Sequence, residues 1–413
     1  MSRRETLPVL GTLLDGDLTT LAARYGRGPV GRRWVATLPW PALTQHTLII
    51  GSTGTGKTVT MMRIISSALA AARANGQQLR VIYADAKGLG HAERDMFTSI
   101  LHAHGVGTIH YWPNQPLDGM TGTRSEVRER LSSLFDSGES AFHHAEATTM
   151  LDLALGAGQL PRTLEELIHR TRPGVTASIY EEHGTEEALA LHAQAKNFTA
   201  PQWQALYLRL RALHATIGPR LDAGPYSPRL DQLEAAWLSL PGTTAGQTAG
   251  DAAAWILGLI GELAGRTDGT PTLIVLDEFS AVAARTGAAA AGLAERTRSA
   301  GVALIFGAQS VASLGDHAER LMANIGTDIL HRVPLPQDLL ELAGTTTVWE
   351  DLHQTSAAGL RVATGGRRQQ TYRVPPDLVR SLPAGQVVLI RHGHWAHVAV
   401  AVPQQPRDDT VNA

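Results

Sequence analysis

The chain has 413 residues, 36 of them Lys or Arg and 38 Asp or Glu, for a formal charge of −2. At roughly 150 residues per domain, this length implies two or three domains or one large domain with an insertion. Hydrophobic residues (43%) suffice for a sizeable core, the absence of cysteine excludes disulfides, thiol catalysis and Cys-ligated metal centres, and the balanced charge excludes a uniformly basic nucleic-acid coat.

Residues 1–45 read as strand and loop segments packing on the core. Thr47–Ile50 is a compact apolar strand running into GSTGTGKT and then a helical stretch that Gly76 can cap. LRVIYADAKG supplies a second buried strand, a helix continues through His104, and residues 106–112 read as a third strand before Pro113. This alternation is the signature of a parallel α/β sheet, so residues 46–123 read as the first part of a core.

From Arg124 to Glu234 helical periodicity dominates, and 11 basic against 15 acidic residues make the segment mildly acidic. It reads as a mostly helical inserted domain. The core resumes over 235–402 with the strand AAWLSL, a helix, the strand TLIVLDEF, an Ala-rich helix and the strand VALIFGAQ. GGRRQQ, from Gly365 to Gln370, reads as a basic loop that either touches DNA phosphates or is simply solvated. Two apolar strands near the end form a hairpin, and residues 403–413 form a tail. His392, His394 and His397 surround the hairpin turn, but strand alternation disfavours their convergence on one metal. No apolar run approaches the roughly 18 residues of a membrane span, and no signal peptide is evident. The expected location is therefore the cytoplasm, with recruitment to the inner membrane face left open.

Residues Gly51, Ser52, Thr53, Gly54, Thr55, Gly56, Lys57 and Thr58 fit G-x-x-x-x-G-K-[ST]. Glycines let backbone N–H groups curl around a β-phosphate, and the succeeding helix presents its positive end. Lys57 then reaches the β- and γ-phosphates, and the Thr58 hydroxyl ligates Mg²⁺. Only Lys57, Lys87 and Lys196 are lysines, so a chance match is improbable. Asp277 and Glu278 end a buried strand, which gives Asp277 the Mg²⁺ and Glu278 the attacking water, against the plainer alternative that Asp277 caps a helix. The acidic pair, and the lack of an Asn-Lys-x-Asp guanine-reading sequence, favour ATP over GTP. Gln309 ends the strand expected beside the phosphate-loop strand, where it can sense the γ-phosphate or orient water. Arg296 and Arg298 are equal candidates for an arginine finger or for a solvated helix face.

HTLIIGSTGTGKT, the ADAKG loop, LIVLDEF, RTRSAGVALIFGAQSVASL and ANIGTDI together resemble the conjugative coupling proteins of type IV secretion, in the FtsK–HerA superfamily of DNA-pumping ATPases. The resemblance covers roughly residues 40–120 and 235–400. It implies an α/β fold with a RecA-like P-loop NTPase core, a mostly parallel sheet flanked by helices, with the helical segment in the place of the family's all-α domain. It also implies ATP and Mg²⁺ as cofactors, DNA as partner, self-association into a ring, expected as a hexamer, and a membrane-bound secretion or relaxosome partner. Under it Lys57, Thr58, Asp277, Glu278 and Gln309 keep the roles argued above, Arg298 fits the trans-acting arginine better than Arg296, and Asp85 with Lys87 matches an Asp-x-Lys-Gly element near the nucleotide. The chain departs from the family pattern in having no transmembrane helices at its start. Alternative readings are a protein-exporting ATPase and an NTP-dependent scaffold or switch.

Overall fold

Short apolar runs rich in Val, Ile and Leu, each bounded by turn residues, are too brief for helices and pack as buried strands. In the computed structural model, which describes residues 7–17, 22–28, 31–87, 91–132, 141–240, 246–265, 269–297, 300–355 and 361–403, they form one large sheet. Its strands are β1 (Val9–Gly16), β2 (Ala22–Gly28), β3 (Gly31–Thr37), β4 (Thr47–Ile50), β5 (Arg80–Asp85), β6 (Ile109–Trp112), β7 (Ala235–Ser239), β8 (Thr272–Asp277), β9 (Val302–Ala308) and β10 (Thr327–Leu330). A separate ribbon pairs β11 (Thr345–Thr355) with β12 (Arg361–Tyr372), and β13 (Gln386–Arg391) and β14 (His394–Val400) return to the sheet.

The order is β2-β3-β1-β14-β13-β10-β4-β9-β8-β5-β7-β6. From β10 to β6 every pairing is parallel, whereas β13, β14, β1, β3 and β2 extend the sheet antiparallel. The C-terminal ends of seven parallel strands therefore share one rim, where α/β sheets bind ligands.

Helices cover both faces. The helices preceding β9 are α1 (Trp40–Leu43), α2 (Lys57–Ala74), α3 (His91–Ala103), α4 (Arg124–Ser132), α5 (Ala141–Gly156), α6 (Leu164–Arg170), α7 (Val175–His183), α8 (Glu186–Lys196), α9 (Ala200–Ile217), α10 (Gly246–Gly265) and α11 (Ala283–Thr297). Ile49, Tyr83, Val275 and Ile305 pack against α2 and α3 on one face. Leu48, Ile82, Ile274 and Phe306 face α10, α11 and the helical segment on the other. The expected α/β fold, a mostly parallel sheet flanked by helices, is borne out.

Helices α4 to α9 lie between β6 and β7, which are neighbours in the sheet. Leu151, Leu167 and Leu210 from these helices share a continuous apolar cluster with Trp255 and Ile260 of α10. Buried Arg130 of α4 ties them further, pairing with Glu262 of α10 and donating to the Thr121 carbonyl at 2.8 Å. Among the described residues, no helix is long and apolar enough to cross a membrane.

One detail differs from the sequence reading. GGRRQQ is not a loop: it lies within β12, with Arg367 opposite Glu350 and Arg368 opposite Trp349. An ion pair from Arg367 to Glu350 at 2.8 Å and the Trp349 ring lying over Gly366 hold this stretch extended. The first 45 residues, read as strand and loop segments, contribute β1, β2 and β3 to the sheet.

Candidate active site

The phosphate loop leaves β4, the strand between β10 and β9, and ends at the first turn of α2. Gly54 and Gly56 adopt φ of 76° and 102°, left-handed values that favour glycine. Thr55 closes the turn by donating to the Ser52 carbonyl at 2.8 Å, while Thr53 and Gly54 are exposed at its tip. Ser52 N–H donates to the Arg332 carbonyl at 3.0 Å, tying the loop to the end of β10.

The Lys57 ammonium is buried and donates to the Gly51 carbonyl at 2.7 Å and more distantly to Ser52 at 3.4 Å. Burial lowers its pKa, against the opposing pull of Glu278 and Asp277. A polyphosphate would exchange these neutral acceptors for charged ones.

Asp277 ends β8 and is a junction. Its Oδ2 accepts from the Thr58 hydroxyl at 3.1 Å and from the buried Tyr83 hydroxyl at 2.6 Å, and its Oδ1 accepts from Glu278 N–H at 2.8 Å. Burial, followed by the Asp277 charge, raises the Tyr83 pKa well above its ordinary value, so the phenol stays a donor. A hydroxyl and a carboxylate 3.1 Å apart are the hard oxygen donors that Mg²⁺ prefers.

Glu278 sits at φ 50°, a left-handed conformation uncommon for a side-chain-bearing residue. Gln309 Nε2 donates to its Oε2 at 3.3 Å, and Lys87 Nζ lies 3.9 Å from its Oε1. Lys87 also faces Glu93 of α3 at 3.8 Å. Asp85, directly across from Asp277, accepts from Lys87 N–H at 2.9 Å through Oδ1, while its buried Oδ2 has no hydrogen-bond partner. Burial raises the Asp85 pKa to about 6, and the Asp277 and Glu93 charges add to the effect while the Lys87 N–H opposes it.

The fold thus gathers Lys57, Thr58, Asp85, Lys87, Asp277, Glu278 and Gln309 at one rim. Arg298 lies outside the described residues. Arg296 lies in the last turn of α11 beside Gly261 of α10. The three hairpin histidines face different partners, His392 and Gln45, His394 and Asp17, His397 and Gln386.

Sequence reasoning missed Tyr83 and His331. Tyr83 is one aromatic in an apolar strand, and nothing local marks its hydroxyl. His331 is fully buried after β10 and bridges the loop carbonyl of Thr55 (3.0 Å) and the Thr60 hydroxyl of α2 (3.1 Å). A Cβ at Gly51 would lie 2.5 Å from the His331 Cβ, so the first loop glycine makes room for this ring. Its position at a strand end on the same rim was the one local clue.

An FtsK/SpoIIIE family model matches residues 23–108, which include the phosphate loop, Asp85 and Lys87. No curated protein matches the chain by sequence. The fold is similar to that of the bacterial conjugative coupling protein TrwBdeltaN70, with a TM-score of 0.65 and 15% identity over 90% of this chain and 89% of that one. TrwB in complex with ADP and Mg²⁺ matches with a TM-score of 0.60 and 14% identity over 97% of each chain. VirB4 of Thermoanaerobacter pseudethanolicus matches with a TM-score of 0.59 and 15% identity, again over 97% of each. At these identities the likeness is one of fold, and it bears out the resemblance drawn from the motifs.

Proposed function

We propose that the chain is an ATP-hydrolysing motor of coupling-protein type that binds MgATP at the strand rim and translocates DNA in conjugative transfer. The observation that carries this reading is the Asp277 junction, which joins Thr58 of the phosphate loop to the strand bearing Glu278. The phosphate-loop amides and Lys57 cradle the β- and γ-phosphates. Thr58 and Asp277 would hold Mg²⁺, which when bound neutralises phosphate charge. That TrwB has been captured with ADP and Mg²⁺ on a similar fold supports both cofactors.

Glu278 orients the attacking water and takes its proton, while Gln309 holds the carboxylate on one side and Lys87 on the other. Arg298 from a neighbouring subunit completes the site, which requires a ring, six-membered by family resemblance. The helical segment 124–234 acts as an inserted domain that selects substrate or partner, and a membrane-bound secretion or relaxosome component recruits the motor.

The test is the ATPase rate alone and with single- or double-stranded DNA. Stimulation by DNA is the expected result. Hydrolysis indifferent to DNA but stimulated by a secretion substrate would move the cargo from DNA to protein, and no hydrolysis at all would favour a scaffold or switch.

A further inference from the structure

A cleft of about 310 Å³ opens at the outer end of the same rim, between α3 and the end of α9. Its walls carry His91 and Arg94 of α3, Arg220 just beyond α9, Tyr111 of β6, and Trp237 and Ser239 of β7. Among the described residues no Asp or Glu lines it, although the chain as a whole is slightly acidic. Trp237 is a buried floor, 1% exposed, whereas Tyr111 is half-buried, so two guanidiniums, an imidazole and one phenol ring meet in the cleft and match a group that is both anionic and planar.

The cleft is also wired to the acidic pair. Tyr83, Trp237 and Tyr111 form a cross-strand row on β5, β7 and β6. Tyr83 and Trp237 stack with centroids 4.4 Å apart, and the Arg94 guanidinium lies 6.0 Å from the Tyr111 ring centre. At the inner end of this row the Tyr83 hydroxyl donates to Asp277 at 2.6 Å. The turn of α3 that bears Arg94 also sends Glu93 to Lys87, the cation beside Glu278. Three strand spacings separate β6 from β8, roughly 14 Å, which is close enough for one packed layer to connect them.

We infer that this cleft binds one nucleotide unit of a single nucleic-acid strand, base beside the Tyr111 ring and phosphate between Arg94 and Arg220. The inference rests on the motor reading for its cargo and adds where the strand is held. Duplex bases are stacked on one another and paired inward, whereas an unstacked nucleotide of a single strand offers its base to a side-chain ring.

The experiment titrates the full chain with a fluorescein-labelled single-stranded oligonucleotide, a duplex of the same sequence and a free nucleoside monophosphate. Arg94→Ala and Arg220→Ala lie on separate elements, so a folding defect in one leaves the other informative, and thermal melting checks both. The expected result is single-strand binding that each variant weakens about tenfold, with the salt slope reduced by about one per arginine. Half-maximal stimulation of ATPase should then need about tenfold more oligonucleotide. Parent and both variants binding alike would overturn the cleft and leave the motor standing. No binding of any oligonucleotide by the parent would overturn both. Tight binding of the monophosphate that oligonucleotide fails to compete would overturn the strand as its source.

Discussion

His331 donates through Nδ1 to the carbonyl of Thr55 at 3.0 Å, and because a carbonyl only accepts, this bond fixes the ring's proton. Nε2 is then free to accept from the Thr60 hydroxyl at 3.1 Å. Burial lowers the His331 pKa to about 4, and the nearby Lys57 charge acts in the same direction. A neutral ring of fixed tautomer thus holds the phosphate loop to α2 without adding a second cation beside Lys57.

His331→Leu should weaken ATP binding about tenfold, because a buried carbonyl loses its donor at a cost of about 1–3 kcal/mol. His331→Asn, whose amide nitrogen can take the place of Nδ1, should recover most of that loss. Fluorescent ATP-analogue titration measures both. Equal affinities for all three proteins would remove His331 from the architecture of the loop.

Tyr83→Phe removes the 2.6 Å donor from Asp277 and nothing else from the side chain. Asp277 keeps Thr58 and the Glu278 amide, so the protein should fold and bind nucleotide. With one fewer donor orienting the carboxylate, half-maximal hydrolysis should need several-fold more Mg²⁺. A Mg²⁺ dependence identical to that of the parent would mean that Tyr83 only fills space.

Lys57→Ala should abolish hydrolysis, since the phosphates lose their principal cation. Glu278→Gln should keep ATP binding and lose turnover, because only the proton acceptor is removed. Wild-type turnover in Glu278→Gln would show that another group activates the water.

What the sequence disclosed and what it withheld divide along a physical line. The phosphate loop, Asp277-Glu278 and Gln309 were legible because each needs a fixed residue type at a fixed place after a strand. Lys87 and Glu278 could not be paired from sequence, since their approach to 3.9 Å depends on β5 and β8 being neighbours. His331 and Tyr83 were hidden for the same reason, as long-range hydrogen bonds leave no local pattern. GGRRQQ misled because Gly-Gly and paired arginines suggest a loop, while the cross-strand Trp349 and Glu350 that hold it extended lie 17 or more residues earlier.

The ring reading predicts complementation. His46 pins the last turn of α11, donating from Nε2 to the Ala294 carbonyl at 2.9 Å and accepting from Leu304 N–H at 3.3 Å. That turn leads directly to Arg298. Arg298→Ala should bind ATP and hydrolyse it poorly, and mixing it with Glu278→Gln subunits should restore part of the activity. A mixed interface can pair an intact Glu278 with an intact neighbouring Arg298. No rescue, together with a monomeric mass in ATP and DNA, would sink the ring.

Two buried groups three residues apart give opposite pH dependences. Burial raises the Asp328 pKa to about 7, and its Oδ1 has no hydrogen-bond partner. The folded chain therefore holds a proton that the unfolded chain releases near its ordinary value, so this group's stabilisation is full at low pH and lost as pH rises from about 4 to about 7. His331 has a folded pKa of about 4, below its unfolded value, so its contribution is present above about 6.5 and lost as pH falls towards 4. Between those limits the two slopes have opposite signs. Asp328→Asn removes only the first. Its stability advantage over the parent should be larger by a few kcal/mol at about pH 8 than at about pH 5, because only the parent loses the Asp328 contribution across that range. Urea midpoints at the two pH values decide the matter, and an equal difference at both would show that Asp328 is already ionised in the folded chain throughout.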